Sequence, residues 1–137
     1  MLVISLLTTL SACGSRRVKI EDYEWKMSYV IHEEDGQAVF DALGGVISYS
    51  PSPTVSRVDM TLIAADGKIT ITDITNDKTY EGTYAVSGKN PRGTDYTVTI
   101  DSKSGNAGVA MTTYADGTEK PTLPIKLGDY SICFYAE

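Results

Sequence analysis

The feature that most constrains this chain is a run of hairpin signals at nearly even spacing. Asp66-Gly67, Asn76-Asp77, the stretch Ser87 to Gly93, Ser104-Gly105, Asp116-Gly117 and Gly128-Asp129 punctuate its second half. Between them lie segments rich in Thr, Tyr, Val and Ile, side chains that suit a pleated, half-buried surface. Strands separated by turns about every 8–12 residues describe an all-β sandwich or barrel. No stretch of comparable length in this half carries the helical period of about 3.6 residues.

A two-residue hairpin dictates which residues face each other, so each turn implies definite pairings. Around Asp66-Gly67, Ala64 opposes Ile69, Leu62 opposes Ile71 and Met60 opposes Asp73, which gathers the apolar residues on one face. Around Asn76-Asp77, Tyr80 opposes Asp73, Gly82 opposes Ile71 and Tyr84 opposes Ile69. Around Ser104-Gly105, Ile100 opposes Val109, Val98 opposes Met111 and Tyr96 opposes Thr113. A two-residue turn at Asp116-Gly117 would send Leu123 and Ile125 outward. A three-residue loop with Gly117 in a left-handed bulge position restores them. Pro121 and Pro124 each remove a ladder donor and mark their strand as edge-like or irregular. Gly128-Asp129 then pairs Leu127 with Tyr130, Ile125 with Ile132 and Leu123 with Phe134, all inward. Upstream, Trp25, Met27, Tyr29 and Ile31 alternate with Lys26, Ser28, Val30 and His32 as a further half-buried strand.

The fold class is therefore all-β. Eight strands near 24–32, 57–64, 68–74, 79–86, 95–101, 107–114, 120–127 and 130–136 form an antiparallel up-and-down meander. In the long first loop, Gln37 to Leu43 is expected to form a short helix, with Val39, Phe40 and Leu43 on one side and Gly44-Gly45 ending it. Val46 to Tyr49 is a candidate ninth strand. Closing the meander edge to edge removes its exposed edges. A barrel of about eight strands holds either side chains alone or one small ligand. The segments Ala65-Asp-Gly-Lys-Ile-Thr-Ile71 and Tyr80-Glu-Gly-Thr-Tyr84 resemble recurring strand motifs of the lipocalin-like (calycin-like) barrels of small bacterial lipoproteins. That resemblance implies a lipocalin-like barrel with its long first loop as a lid over the mouth. Tyr23 stands where lipocalins proper carry the glycine of their Gly-X-Trp, with Trp25 in the tryptophan position.

The N-terminus reads as an address. Leu2 to Leu10 is apolar but shorter than the roughly 20 residues that span a bilayer, and it fits the core of a secretory signal. Leu10-Ser11-Ala12-Cys13-Gly14 comes directly after it and resembles the lipobox of bacterial lipoproteins. The resemblance implies a signal peptide over 1–12 and acylation at Cys13. A polar tether then runs to residue 22, with Arg16, Arg17 and Lys19 near anionic headgroups, and a single barrel domain covers 23–137. It places the protein on the extracytoplasmic side of a bacterial cell envelope, with membrane lipid as a partner. With Cys13 consumed, Cys133 has no intrachain partner and no disulfide is expected.

Charge excludes one class of function. Twelve basic against 18 acidic residues give a net charge of −6, unsuited to a nucleic-acid backbone. On the inward face Trp25, Tyr29, Tyr80, Tyr84, Tyr96 and Tyr130 are the candidate ligand-binding residues, joined by Phe134. Tyrosine pairs a large apolar surface with a hydroxyl that needs a partner when buried, so the same residues also describe a filled core. His32 precedes Glu33-Glu34-Asp35, but neighbours on a strand point to opposite faces and no metal is expected there. Cys133 and His32 fall about 13–20 Å apart at roughly 3.3 Å per residue, too far for a nucleophile and its base. No catalytic residue and no cofactor are read from the chain. The expectation is a non-enzymatic, membrane-anchored protein that binds a small amphipathic or hydrophobic molecule or presents loops at the cell surface. The alternative is a protein-interaction module, such as an inhibitor of a hydrolase.

Overall fold

The structure, a computed structural model, describes residues 17–34, 38–41 and 56–137. Among these, the strands are β1 (Trp25–His32), β2 (Ala38–Asp41), β3 (Ser56–Arg57), β4 (Met60–Ala65), β5 (Lys68–Asp73), β6 (Lys78–Asn90), β7 (Gly93–Ile100), β8 (Lys103–Thr113), β9 (Glu119–Leu127) and β10 (Tyr130–Ala136). Strands β4 to β10 pair in chain order, and β1 bonds to β4 on one side and β10 on the other. The result is a closed antiparallel barrel of eight strands, the architecture that the turn spacing predicts.

The hairpins differ in how well the sequence foretells them. Across Asp66-Gly67 the pairs are Met60–Asp73, Leu62–Ile71 and Ala64–Ile69, as expected. The next turn is longer than two residues. Asp73 accepts hydrogen bonds from the Asn76 backbone N–H (3.0 Å) and side-chain Nδ2 (2.8 Å). These bonds close a loop over 74–77, so Ile71 pairs with Tyr80 and Ile69 with Gly82, two residues from the expected register. Between β7 and β8 the turn is Asp101-Ser102, both at positive φ (48° and 65°), rather than Ser104-Gly105. Tyr96 accordingly opposes Ala107 and Val98 opposes Gly105. Gly105 answers a different need, since a Cβ there would run into the Lys126 carbonyl of β9. The stretch Ser87 to Asn90 belongs to β6, which passes a register shift between Val86 and Gly88. It then turns at Pro91-Arg92.

After β8, Tyr114 N–H donates to the Thr118 carbonyl (2.8 Å) across a three-residue loop with Gly117 at φ +85°, the expected bulge. Beyond it stand the pairs Leu127–Tyr130, Ile125–Ile132 and Leu123–Phe134. The β8–β9 ladder is interrupted between Ala107–Ile125 and Ala110–Thr122, where Pro124 has no N–H to give.

Two further expectations, both about strands, are corrected. Ala38–Asp41, within the segment read as a helix, is a strand. Strand β1 bonds β4 only at Trp25 and Lys26, which leaves its edge from Tyr29 to Ile31 in need of partners, and β2 supplies them. Ser56–Arg57 runs parallel beside β2. Gln37, Leu43 and the candidate ninth strand at Val46 to Tyr49 lie outside the described residues. The second correction concerns the faces of β1. Met27 opposes Phe134 but Tyr29 opposes Cys133, so Ser28 is an extra residue, a β-bulge. Beyond it the alternation inverts: Val30 is buried, and Tyr29 and Ile31 turn outward beside Cys133 and Ser131.

Trp25, Met27, Leu62, Tyr96, Leu123 and Phe134 fill the waist of the barrel, each under 2 % exposed. Burying a large apolar side chain contributes roughly 1.5–3 kcal/mol, so this layer carries much of the fold. Arg17–Asp22, expected as tether, is docked onto one end of the barrel, with Val18 and Ile20 buried and a single 3-10 turn at Ile20–Asp22. Arg17–Asp22 therefore packs as part of the barrel body, ahead of residue 23.

Candidate functional site

The two ends of the barrel are chemically different. At the base, the docked segment acts as a plug whose backbone is met by side chains of the wall. Ile20 N–H donates to the Tyr96 hydroxyl (3.1 Å), and Trp25 Nε1–H donates to the Ile20 carbonyl (2.8 Å). Thr94 Oγ1 donates to the Val18 carbonyl (3.2 Å). Tyr84 donates to the Glu21 carboxylate (2.8 Å), and its ring meets Tyr96 edge-on at 5.6 Å. A buried aromatic with a polar tip requires such partners, and here the plug provides them. Loss of water and the Glu21 carboxylate push the Tyr84 hydroxyl up to about 12. Burial raises Tyr96 as well.

The opposite end is the mouth. A recess of about 190 Å³ enters the barrel there, lined by Met60, Ile71, Tyr80, Ile100, Leu127 and Ile132. Asp101 and Lys103, flanking the β7–β8 turn, put one charge of each sign on its rim. The β5–β6 and β9–β10 turns stand at the same end, as does the last residue of β1, His32, whose ring lies 5.2 Å from that of Tyr130. Larger but shallower depressions lie on the outer wall, about 440 Å³ over Asp95, Gly108 and Pro124, and about 370 Å³ over Thr70 and Gly82.

The six candidate aromatics are not brought together. Trp25, Tyr84 and Tyr96 hold the base plug. Tyr80 alone of the six lines the mouth. Tyr29 faces outward through the Ser28 bulge, where its bond with the Cys133 thiol and partial burial push its hydroxyl up to about 12. Tyr130 lies on the rim, 43 % exposed. Asp73 is tied to Asn76, and Thr113 lies at the base end of β8 beside Arg92 and Glu119.

The residues that make the recess, above all Met60, Ile71, Ile100 and Ile132, are legible in the sequence as inward-facing but not as a pocket, because alternation reports the face and not the filling. The plug residues Val18 and Ile20 escape a reading that starts at the first strand. They alternate with Arg17, Lys19 and Glu21 in the period of two that marks a half-buried segment.

Cys133 is a free cysteine on the outer wall, its thiol pushed up by burial. Among the described residues no group of three or more His, Cys, Asp or Glu side chains is placed to hold a metal ion. Compared with protein-family models, with curated proteins and with solved structures, the chain has no match.

Proposed function

We propose that this is an extracytoplasmic bacterial lipoprotein, anchored through acylated Cys13, whose lipocalin-like barrel binds the apolar end of a small amphipathic molecule at its mouth. The observation that carries the binding reading is the asymmetry of the barrel. Its base is sealed by a segment bonded to Trp25, Tyr96 and Thr94, while the mouth keeps an apolar recess with Asp101 and Lys103 at the rim. At about 190 Å³ the recess exceeds the ~150 Å³ cavity that accepts a benzene ring, and falls short of the ~300 Å³ of a drug-sized site. It suits a ring or a short alkyl end, with the polar remainder of the ligand against the charged rim.

Binding rather than catalysis is the reading because the described candidates for acid, base and nucleophile are dispersed. His32 is at the mouth against Tyr130, and Cys133 is on the outer wall beside Tyr29. A second reading, a protein-interaction module such as a hydrolase inhibitor, is favoured by the small size of the recess, which also fits one apolar side chain of a partner.

The two readings separate in one titration. Anilinonaphthalene sulfonate and a series of straight-chain carboxylates are added to the protein, with fluorescence and calorimetry as readouts. Saturable binding that Ile132→Trp weakens by about tenfold or more, some 1.4 kcal/mol, supports the small-molecule reading. Absence of saturation, or indifference to Ile132→Trp with the fold intact by circular dichroism, leaves the protein-partner reading. The anchor has its own test: Cys13→Ser is expected to release the protein from membranes, and unchanged partition into the detergent phase overturns it.

A further inference from the structure

We infer that the plugged base of the barrel is its lipid-facing surface, and that the mouth opens away from the anchoring bilayer into the aqueous compartment. The inference rests on acylation at Cys13 and adds to it a direction. Arg17 is stapled to the tip of the β6–β7 hairpin, its guanidinium donating to the Asn90 carbonyl (3.0 Å) and the Gly93 carbonyl (3.4 Å). From Cys13 to Arg17 the chain takes four residue steps, which reach at most about 14 Å however they are arranged. Strand β7 runs from that hairpin to the mouth turn at Asp101-Ser102 over 8 residues. At ~3.3 Å per residue and the usual barrel tilt, base and mouth stand about 20 Å apart along the axis. A barrel inverted onto its mouth holds Arg17 farther from the lipid surface than the tether extends.

The excess of acidic groups at the mouth is consistent with this polarity. Exposed tyrosines, of the type that settles at headgroup level, stand at both ends, Tyr23 and Tyr114 around the plug (38 % and 41 %) and Tyr130 at the mouth (43 %), and do not distinguish them. At the base, exposed Arg17, Lys19, Lys68, Lys89, Arg92 and Lys120 are matched by exposed Glu21, Asp22, Glu24, Asp66, Asp116 and Glu119. At the mouth, exposed Glu33, Glu34, Asp77, Asp101 and Asp129 outnumber Lys78, Lys103 and Lys126, and anionic headgroups repel such an end. The ligand of the mouth is therefore delivered from the aqueous side, as a free molecule or from a facing carrier, and not drawn sideways out of the bilayer that holds the protein.

The experiment uses the full-length acylated protein with Cys133→Ser, carrying one new cysteine either at the base (Ala65→Cys) or at the mouth (Asp129→Cys), both exposed turn-flanking positions. Each is labelled with a donor fluorophore and bound to vesicles of phosphatidylethanolamine and phosphatidylglycerol bearing a headgroup-linked acceptor. The base label is expected to transfer energy at least about twofold more strongly than the mouth label, given the ~20 Å between them. Equal transfer, or stronger transfer from the mouth, overturns the orientation while the anchor stands. Failure of the protein to float with the vesicles overturns the anchor itself, and this inference with it.

Discussion

Tyr96 and Tyr84 sit side by side at the base, yet their hydroxyls serve different neighbours. Tyr96, 1 % exposed, accepts the buried N–H of Ile20, whereas Tyr84 donates to Glu21 at the edge of water. Removing an acceptor from a buried donor exacts the desolvation penalty of the group left behind. Tyr96→Phe is therefore expected to destabilise the protein by about 1–3 kcal/mol, and Tyr84→Phe by about 1 kcal/mol or less, in urea unfolding. Raised tyrosine hydroxyls also set an alkaline limit. Tyr29 and Tyr84 titrate near 12 in the folded protein against 10 when free. Folding then favours the protonated form, so their stabilisation is whole below about pH 10 and is lost as the pH rises towards 12. Thermal melts across that window are expected to show Tm falling by on the order of 5 °C or more. Replacing both tyrosines by Phe is expected to flatten the decline, and an undiminished slope in that double variant contradicts the assignment.

Between neighbouring strands, side-chain alternation reports pairing only modulo two, and the hairpins bear the consequence. The β5–β6 register lies two residues from the expected one and the β7–β8 register six, both even numbers, so every face assignment survived although the partners changed. The Ser28 bulge shifts the strand by one. It inverted the faces of Tyr29, Val30 and Ile31, and nothing in the local pattern betrays it because Val30 and Ile31 are both apolar. Turn identity was legible where an Asp-Gly pair met a two-residue loop, at Asp66-Gly67. It was obscured where Ser104-Gly105 carried a glycine placed for close strand approach. The β7–β8 turn offers a check. Asp101 and Ser102 occupy left-handed conformations that Asn and Gly accept more readily. The double variant Asp101→Asn with Ser102→Gly is expected to raise stability by about 1 kcal/mol, and Gly105→Ala to lower it by about 2 kcal/mol or more, both by denaturant midpoint.

The whole barrel has one sealed end and one end with an apolar recess, and the seal is contributed by a segment that precedes the first strand. Eight strands alone leave Tyr96, Trp25 and Thr94 facing the base with polar tips to satisfy. Val18 and Ile20 cover them and bring the carbonyls and the N–H those tips require. The plug is thus part of the folding unit, and two truncations distinguish it from a tether. A chain beginning at Arg17 keeps every one of these contacts and is expected to melt with the full-length protein. A chain beginning at Tyr23 loses a fully buried isoleucine, worth about 2–5 kcal/mol on the scale of large-to-small core changes, together with the partners of Trp25 and Tyr96. Against a total stability of roughly 5–15 kcal/mol, that loss is expected to leave the barrel partly unfolded at 37 °C and open to apolar dyes at its base. Equal melting temperatures for the two truncations would show that the strands close the base unaided, and would return Arg17–Asp22 to the role of a leash.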